Sequence, residues 1–143
     1  MNITMSKPYS EMENIPDRVS ESEVLYMMST RDINWSYMKL FKEFTSLKDN
    51  IISKWLNISV RTLHNYKRSD IKFKANMKEQ LLLLFSLFKH GKGVFGSIPA
   101  FYNWLNTENF YFDGAPPVSN LNTVSGIRVV DDRLTAMEYG DNV

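Results

Sequence analysis

One short stretch, residues 81–88, constrains the fold of this chain more than any other feature. It lies within a helical pattern over residues 74–90, and its apolar positions wrap almost all the way round that helix. A helix that is apolar on every side is either buried centrally or covered by a partner. We therefore predict a long central helix that joins two parts of the chain and lies in a dimer interface, because one small domain supplies too little cover.

The remaining pattern predicts an all-α fold. Apolar residues recur at helical spacing over residues 33–44, 47–56, 60–67 and 123–139, and strand signals are almost absent. Ser97 and Thr123 are predicted to cap two helices, and residues 106–117 form a loop between them. Gly91 and Gly93 are predicted to end the central helix, and Gly140 the last one. The first 30 residues lack sustained periodicity and are predicted to be a mobile N-terminal arm, with a short helix near residues 22–29.

Composition narrows the classes of function. The chain of 143 residues has no cysteine and two histidines, His64 and His90, which excludes a disulfide scaffold and a thiol nucleophile. We expect no metal site and no cofactor. No apolar run approaches the roughly 20 residues of a membrane span, and the acidic N-terminus resembles no signal peptide. We therefore expect a cytoplasmic protein with no membrane partner.

Charge is distributed unevenly along the chain. Residues 1–30 carry a net −3, residues 31–92 a net +8 and residues 93–143 a net −4. A basic segment between acidic ends suggests contact with a polyanion through that segment. Lysines that merely keep a helical surface hydrated would give the same numbers, so charge alone leaves both interpretations open.

The basic segment contains a predicted helix-turn-helix over residues 49–68. Ser53 is small where two helices would cross closely, and Asn57 tolerates the left-handed backbone of the turn. Ser59 can cap the second helix, while Leu63 and Tyr66 face inward. A helical hairpin that serves only for packing is the alternative.

This arrangement leaves a polar face on the second helix, which would enter the major groove of DNA. Arg61 could bind guanine and Asn65 could bind adenine, each through two hydrogen bonds. Lys54, Lys72 and Lys74 would contact phosphates, and His64 is expected to be a surface residue. The candidate DNA-binding residues are Ser59, Val60, Arg61, Thr62, Asn65, Lys67 and Arg68.

The C-terminal half carries short motifs in a fixed order. They are Phe95-Gly96, Asn103-Trp104-Leu105, Asn109 to Gly114, Gly114-Ala115-Pro116 and Met137-Glu138-Tyr139-Gly140. In this order and spacing they resemble the toxin-binding domain of Xre/MbcA/ParS-type antitoxins. Upstream, residues 56–63 resemble the Xre-like helix-turn-helix of the same family, with Asn57 where glycine is usual. The resemblance covers about residues 31–141 and leaves the N-terminal arm without a counterpart.

The resemblance implies an antitoxin of a type II toxin–antitoxin system. Its cognate toxin would be a RES-domain protein that consumes NAD⁺ or transfers ADP-ribose. The antitoxin would form a homodimer, cover the active site of the toxin and repress its own operon by binding operator DNA. With the N-terminal arm over residues 1–30, this gives three expected parts, the other two being an Xre-like DNA-binding domain over 31–92 and a toxin-binding domain over 93–143.

The acidic, aromatic tail suits such a task, because a nucleotide-consuming site is usually basic around its phosphate pocket. Arg133, Glu138, Tyr139 and Asp141 are candidates to block that pocket, although a hydrated terminus explains Glu138 and Asp141 equally well. The aromatic residues of the loop are candidate anchors at the interface, with core packing as the alternative. These are Phe110, Tyr111 and Phe112.

No catalytic constellation stands out, so we expect no enzyme. Asp131 and Asp132 are adjacent, point apart on a helix and are assigned to its polar face. Two other classes of function remain open. One is a helix-turn-helix transcriptional regulator whose C-terminal domain serves dimerisation or ligand binding, and the other is a helical adaptor without a nucleic-acid role.

Overall fold

A computed structural model describes residues 12–69 and 71–140. Over these residues the chain forms α-helices and two short 3₁₀ turns, with no strand, so the all-α prediction is confirmed. The α-helices are α1 (Glu21–Thr30), α2 (Trp35–Thr45), α3 (Asp49–Trp55), α4 (Val60–Arg68), α5 (Ala75–Phe95), α6 (Ile98–Leu105) and α7 (Val124–Glu138). The 3₁₀ turns are Phe110–Phe112 and Pro117–Asn120.

The central helix of the fold is α5. Every residue from 81 to 88 is buried, and α1, α2, α6 and α7 pack around it. Aromatic rings fill the contact with α2, where Phe41 lies 5.4 Å from Phe85 and 5.7 Å from Phe88 between ring centroids. One chain therefore covers residues 81–88 of this helix on every side. The expectation that α5 needs a second copy for cover was wrong, because the N-terminal residues supply the missing layer.

The end of α5 also differs from the prediction. The helix continues through Gly91 and Gly93 to Phe95, and Gly96 ends it with a left-handed φ of 87°. The ring of Phe101 on α6 lies directly over Gly91, where a Cβ atom would collide with it. Gly91 is thus a site of close helix packing and not a helix stop. The boundary expected between residues 92 and 93 falls inside this continuous helix.

The described part of the N-terminal arm is packed and not mobile. Ile15, Val24 and Met27 are buried, and α1 lies against α5. Val24 and Met27 lie three residues apart on one face of α1, whereas Ile15 lies outside that helix and belongs to no periodic pattern. Residues 12–30 therefore contribute three side chains to the core.

The C-terminal helices begin where the sequence predicts. The hydroxyl groups of Ser97 and Thr123 accept hydrogen bonds from the backbone amides of Ala100 and Gly126. Ile127, Val130 and Leu134 form the buried stripe of α7. Within the described residues, no single helix is long and apolar enough to cross a membrane; α5 and α6 together would be, but they meet at an angle of 104°.

Candidate functional site

The turn between α3 and α4 has the local geometry that the sequence predicts. Asn57 has a left-handed φ of 59°, and Ser53 is buried where the two helices meet. The hydroxyl of Ser59 accepts a hydrogen bond from the amide of Thr62 and so caps α4. Leu63 and Tyr66 face the core. The orientation of α4 is therefore set by its own sequence, and its opposite face is left to solvent.

That outer face is basic and open. Ser59, Arg61, Lys67 and Arg68 are exposed, whereas Val60, Thr62 and Asn65 are half-buried. Together with Val60 and His64, the three cationic side chains line a shallow cleft of about 620 Å³. The Oδ1 atom of Asn65 accepts a hydrogen bond from Arg68 at 2.7 Å. All seven candidate DNA-binding residues thus lie on one helix and its cap.

A carboxylate on α3, that of Asp49, links this helix to its neighbours. Asp49, the first residue of α3, lies 2.9 Å from Nε2 of His64 on α4 and 2.6 Å from Nζ of Lys42 on α2. The hydrogen bond from Lys42 lowers the pKa of Asp49 against the opposing effect of partial burial, and His64 adds to the lowering. The side chain of His64 is 51% exposed, as expected of a surface residue. The trio ties α2, α3 and α4 together beside the basic face.

The aromatic loop forms a second, chemically different surface. Asn109 is buried, and its side-chain oxygen accepts a hydrogen bond from the amide of Tyr111, which holds the 3₁₀ turn in place. Phe110 is 88% exposed and Tyr111 is 51% exposed, so two rings stand out into solvent. Phe112 turns inward, with its ring centroid 6.4 Å from that of Trp104. Of the three candidate anchors, only Phe110 and Tyr111 are available to a partner.

Arg133 is not available for the blocking role expected of it. It is only 8% exposed, and its guanidinium carbon lies 3.5 Å from the ring centroid of Tyr111. This cation–π contact holds α7 against the aromatic loop. Arg133 thus supports the position of Tyr111, because its buried side chain packs against the ring of that residue.

A buried histidine, His90, joins α5 to α7. The Nδ1 atom of His90 lies 2.6 Å from Oδ1 of Asp131, and its Nε2 atom lies 2.6 Å from Oε1 of Glu138. Burial opposes a charged ring, but the two carboxylates outweigh it and raise the pKa of His90. In return, the hydrogen bond from His90 lowers the pKa of Glu138.

Asp131 was expected on the polar face of the last helix, and the structure shows that this was wrong. The residue is buried, and its backbone position places it opposite His90 on α5. Sequence reasoning missed this cluster, although one signal was present. Asp131 and Glu138 are seven residues apart and so share one face of α7.

A hydrogen bond joins the turn before α4 to the residue that precedes the cap of α7. The side-chain amide of Asn57 donates a hydrogen bond to the backbone oxygen of Asn122, at a distance of 2.9 Å. Asn122 immediately precedes Thr123, the cap of α7. The turn of the basic unit and the start of α7 are therefore in direct contact.

The end of α7 carries the remaining candidate residues for toxin binding. Tyr139 is 82% exposed, the side chain of Glu138 is 32% exposed, and Asp141 lies outside the described residues. Over residues 12–69 and 71–140, no group of three or more acidic or histidine side chains is arranged to hold a metal ion. Phe110, Tyr111 and Tyr139 thus give the C-terminal half an exposed aromatic surface, which suits contact with another protein.

Comparison with known families finds a similarity in the C-terminal half. Residues 90–140 match the family described as the antitoxin Xre/MbcA/ParS C-terminal toxin-binding domain. Over this stretch the chain is therefore similar to an antitoxin domain that binds a toxin, which supports a toxin-binding role in general terms. The matched stretch begins at His90 and contains the aromatic loop and α7. A comparison of the chain with curated proteins found no match.

Proposed function

We propose that this protein is the antitoxin of a type II toxin–antitoxin system that neutralises one cognate toxin and represses its own operon. The observation that carries the proposal is the match of residues 90–140 to a toxin-binding domain, in a stretch that displays Phe110, Tyr111 and Tyr139 to solvent. Exposed aromatic side chains on a rigid support concentrate binding energy at protein interfaces. Like the family to which this domain belongs, the protein acts by binding and is not an enzyme.

The toxin would be of the RES type, which consumes NAD⁺ or transfers ADP-ribose. Support comes from charge, since residues 93–143 carry a net −4 and a pocket for a dinucleotide is rich in cations. In this proposal Tyr139, Glu138 and Asp141 cover the active site, and Phe110 and Tyr111 anchor the complex. Arg133 and Phe112 act from within the fold.

Repression would use the basic face of α4. Arg61 and Asn65 would contact base edges in the major groove, and Lys67 and Arg68 would contact the phosphate backbone. Ser59, Val60 and Thr62 lie at the start of α4, the part of a recognition helix that comes closest to the bases. Because operator DNA and toxin are both inside the cell, we propose a cytoplasmic site of action.

Operator binding by such a unit usually involves two copies at adjacent half-sites, which is the support for a homodimer. Its interface cannot be the buried residues 81–88 of α5. Leu25 and Tyr26 on α1 are 56% and 67% exposed and offer apolar surface for self-association. Size-exclusion chromatography with light scattering measures the oligomeric state directly.

Co-expression with the neighbouring toxin gene is the test of the proposal. Rescue of toxin-arrested cells, together with co-elution of the toxin with a tagged antitoxin, is the expected result. No rescue at good expression would remove the antitoxin role and leave a transcriptional regulator whose C-terminal domain serves dimerisation or ligand binding. Salt-dependent binding to the upstream DNA tests repression separately, and its absence would point to a protein without a nucleic-acid role.

A further inference from the structure

Residues 12–20, which we call the N-terminal strap, are fastened to α5 at their first end. The ammonium group of Lys89 donates hydrogen bonds to the backbone oxygens of Met12 at 2.9 Å and Ile15 at 2.6 Å. The side chain of Ile15 is 1% exposed and lies in the core. This end of the strap is therefore held by both polar and apolar contacts.

The second end of the strap is fastened to α7. Arg18 lies 3.0 Å from a carboxylate oxygen of Glu138 and donates a hydrogen bond to the hydroxyl of Thr135 at 3.2 Å. The backbone amide of Val19 donates to Oδ2 of Asp131 at 3.2 Å. Each of these two carboxylates is at the same time bound to His90, so the strap and α5 share both of them.

These contacts meet at the last residue of α7. Glu138 is held by Arg18 from the strap and by His90 from α5, and the next residue, Tyr139, is 82% exposed. The ion pair between Arg18 and Glu138 is itself 48% and 32% exposed, so it adds little to folding stability. Its clearest physical effect is to fix the direction in which the chain leaves α7.

We propose that the N-terminal strap is a working part of the toxin-binding surface, in which Arg18 and His90 are positioning residues that hold Glu138 and so present Tyr139 to the toxin. This inference rests on the proposed function. The strap lies outside residues 90–140, the stretch that the family match covers, so it adds a sequence-distant element to that domain. It also gives a role to a segment that the sequence indicated only as an arm.

The test compares the affinity of purified full-length variants for the purified toxin. We expect Arg18→Ala to weaken toxin binding by about five- to tenfold while operator binding and melting temperature stay unchanged. Arg18→Lys should restore part of the affinity, because the ammonium group can still pair with Glu138. Combining Arg18→Ala with Glu138→Gln should cost no more than the larger single effect, because both changes break the same contact.

The matched control is Arg128→Ala. Arg128 forms a second exposed ion pair between the N-terminal residues and α7, with Glu21 of α1 at 2.9 Å, and it lies nearer the first end of α7. We expect this variant to bind the toxin within about twofold of the wild type. An equal loss in both variants would mean general loosening of the N-terminal residues and would overturn the proposal.

Amide hydrogen exchange measures the local order at the end of α7 separately from the global stability of the fold. The amides of Tyr139 and Gly140 bond to carbonyls in the last turn of α7, and Arg18→Ala should accelerate their exchange without affecting α6. If the wild type binds the toxin and Arg18→Ala binds it equally well, the strap proposal fails alone. If the wild type does not bind the toxin, the proposed function fails with it.

Discussion

The guanidinium carbon of Arg133 lies 3.5 Å from the ring centroid of Tyr111. This contact joins the last helix of the fold to a loop more than twenty residues earlier in the chain, and it keeps one aromatic ring in place beside another that is almost fully exposed. Because Tyr111 and not Phe110 makes this contact, the exposed ring of Phe110 can be changed without disturbing the core. That separation makes the loop a clean place to test toxin binding.

Phe110→Ala should weaken toxin binding by about 2 kcal/mol and change the free energy of unfolding by less than about 0.5 kcal/mol. The reason is that the ring of Phe110 is 88% exposed and buries its area only in a complex. Calorimetric titration with the toxin and chemical denaturation measure the two quantities.

Phe112→Ala is the control for the same loop. Its ring packs against Trp104, so the change should destabilise the fold by about 1–3 kcal/mol. Unaltered toxin affinity in Phe110→Ala would show that the exposed ring is not an anchor.

Arg61→Ala should weaken operator binding by about 1–3 kcal/mol and relax base preference at one position. The guanidinium of Arg61 stands on the open face of α4, so its loss should leave stability unchanged. Binding to a library of operator variants measures both effects.

Lys72→Gln gives the comparison for a phosphate contact. It should weaken all sequences equally and lower the slope of affinity against salt by about one. Unchanged sequence preference in Arg61→Ala would mean that α4 does not read bases.

Stability should depend on pH through His90. The pKa of its ring is raised above the usual 6.5, so its contribution is complete below that pH and is lost as the pH rises through the raised value. The pKa of Glu138 is lowered from 4.5, so its contribution is present above that pH and is lost as the pH falls through the lowered value. The cluster therefore stabilises the fold most between these two limits.

Replacement of His90 by Gln tests this dependence. The difference in melting temperature between wild type and His90→Gln should be largest near pH 5 to 6 and should shrink toward alkaline pH, since glutamine does not titrate. Asp131 and Glu138 are in direct contact with the ring, and Arg18 pairs with Glu138. A difference that stays constant across this pH range would exclude a charged His90.

Two glycines in α5 should respond in opposite ways to alanine. Gly91→Ala should destabilise the fold by about 1–3 kcal/mol, because its Cβ atom would meet the ring of Phe101. Gly93→Ala should stabilise it by about 0.5–1 kcal/mol, because that position faces open space in the same helix. Thermal unfolding of both variants decides the matter, and equal effects would contradict the close packing of α5 on α6.

Sequence reasoning was most successful where structure is determined locally. The turn between α3 and α4 depends on adjacent residues, so Asn57 and Ser59 could be placed correctly from their own backbone and capping preferences. The caps of α6 and α7 were predicted for the same reason. Exposure of the face of α4 followed from the burial of Leu63 and Tyr66.

The missed features all depend on contacts between distant parts of the chain. Val19 and Asp131 are 112 residues apart, and no local pattern announces that they meet. Burial of Arg133 depends on the position of the aromatic loop, and the glycine at 91 serves a helix that comes later in the sequence. Asp131 and Arg133 were therefore assigned to the surface, and Gly91 to the end of a helix, whereas all three are packed inside the fold.

Because α5 runs without interruption from Ala75 to Phe95, neither functional half can be excised intact. A fragment cut at residue 92 would separate the ring of Phe101 from Phe88 and Gly91, the residues of α5 against which it packs. The chain should melt in one cooperative transition. Any dissection of its two activities must therefore proceed by point substitution in the whole protein.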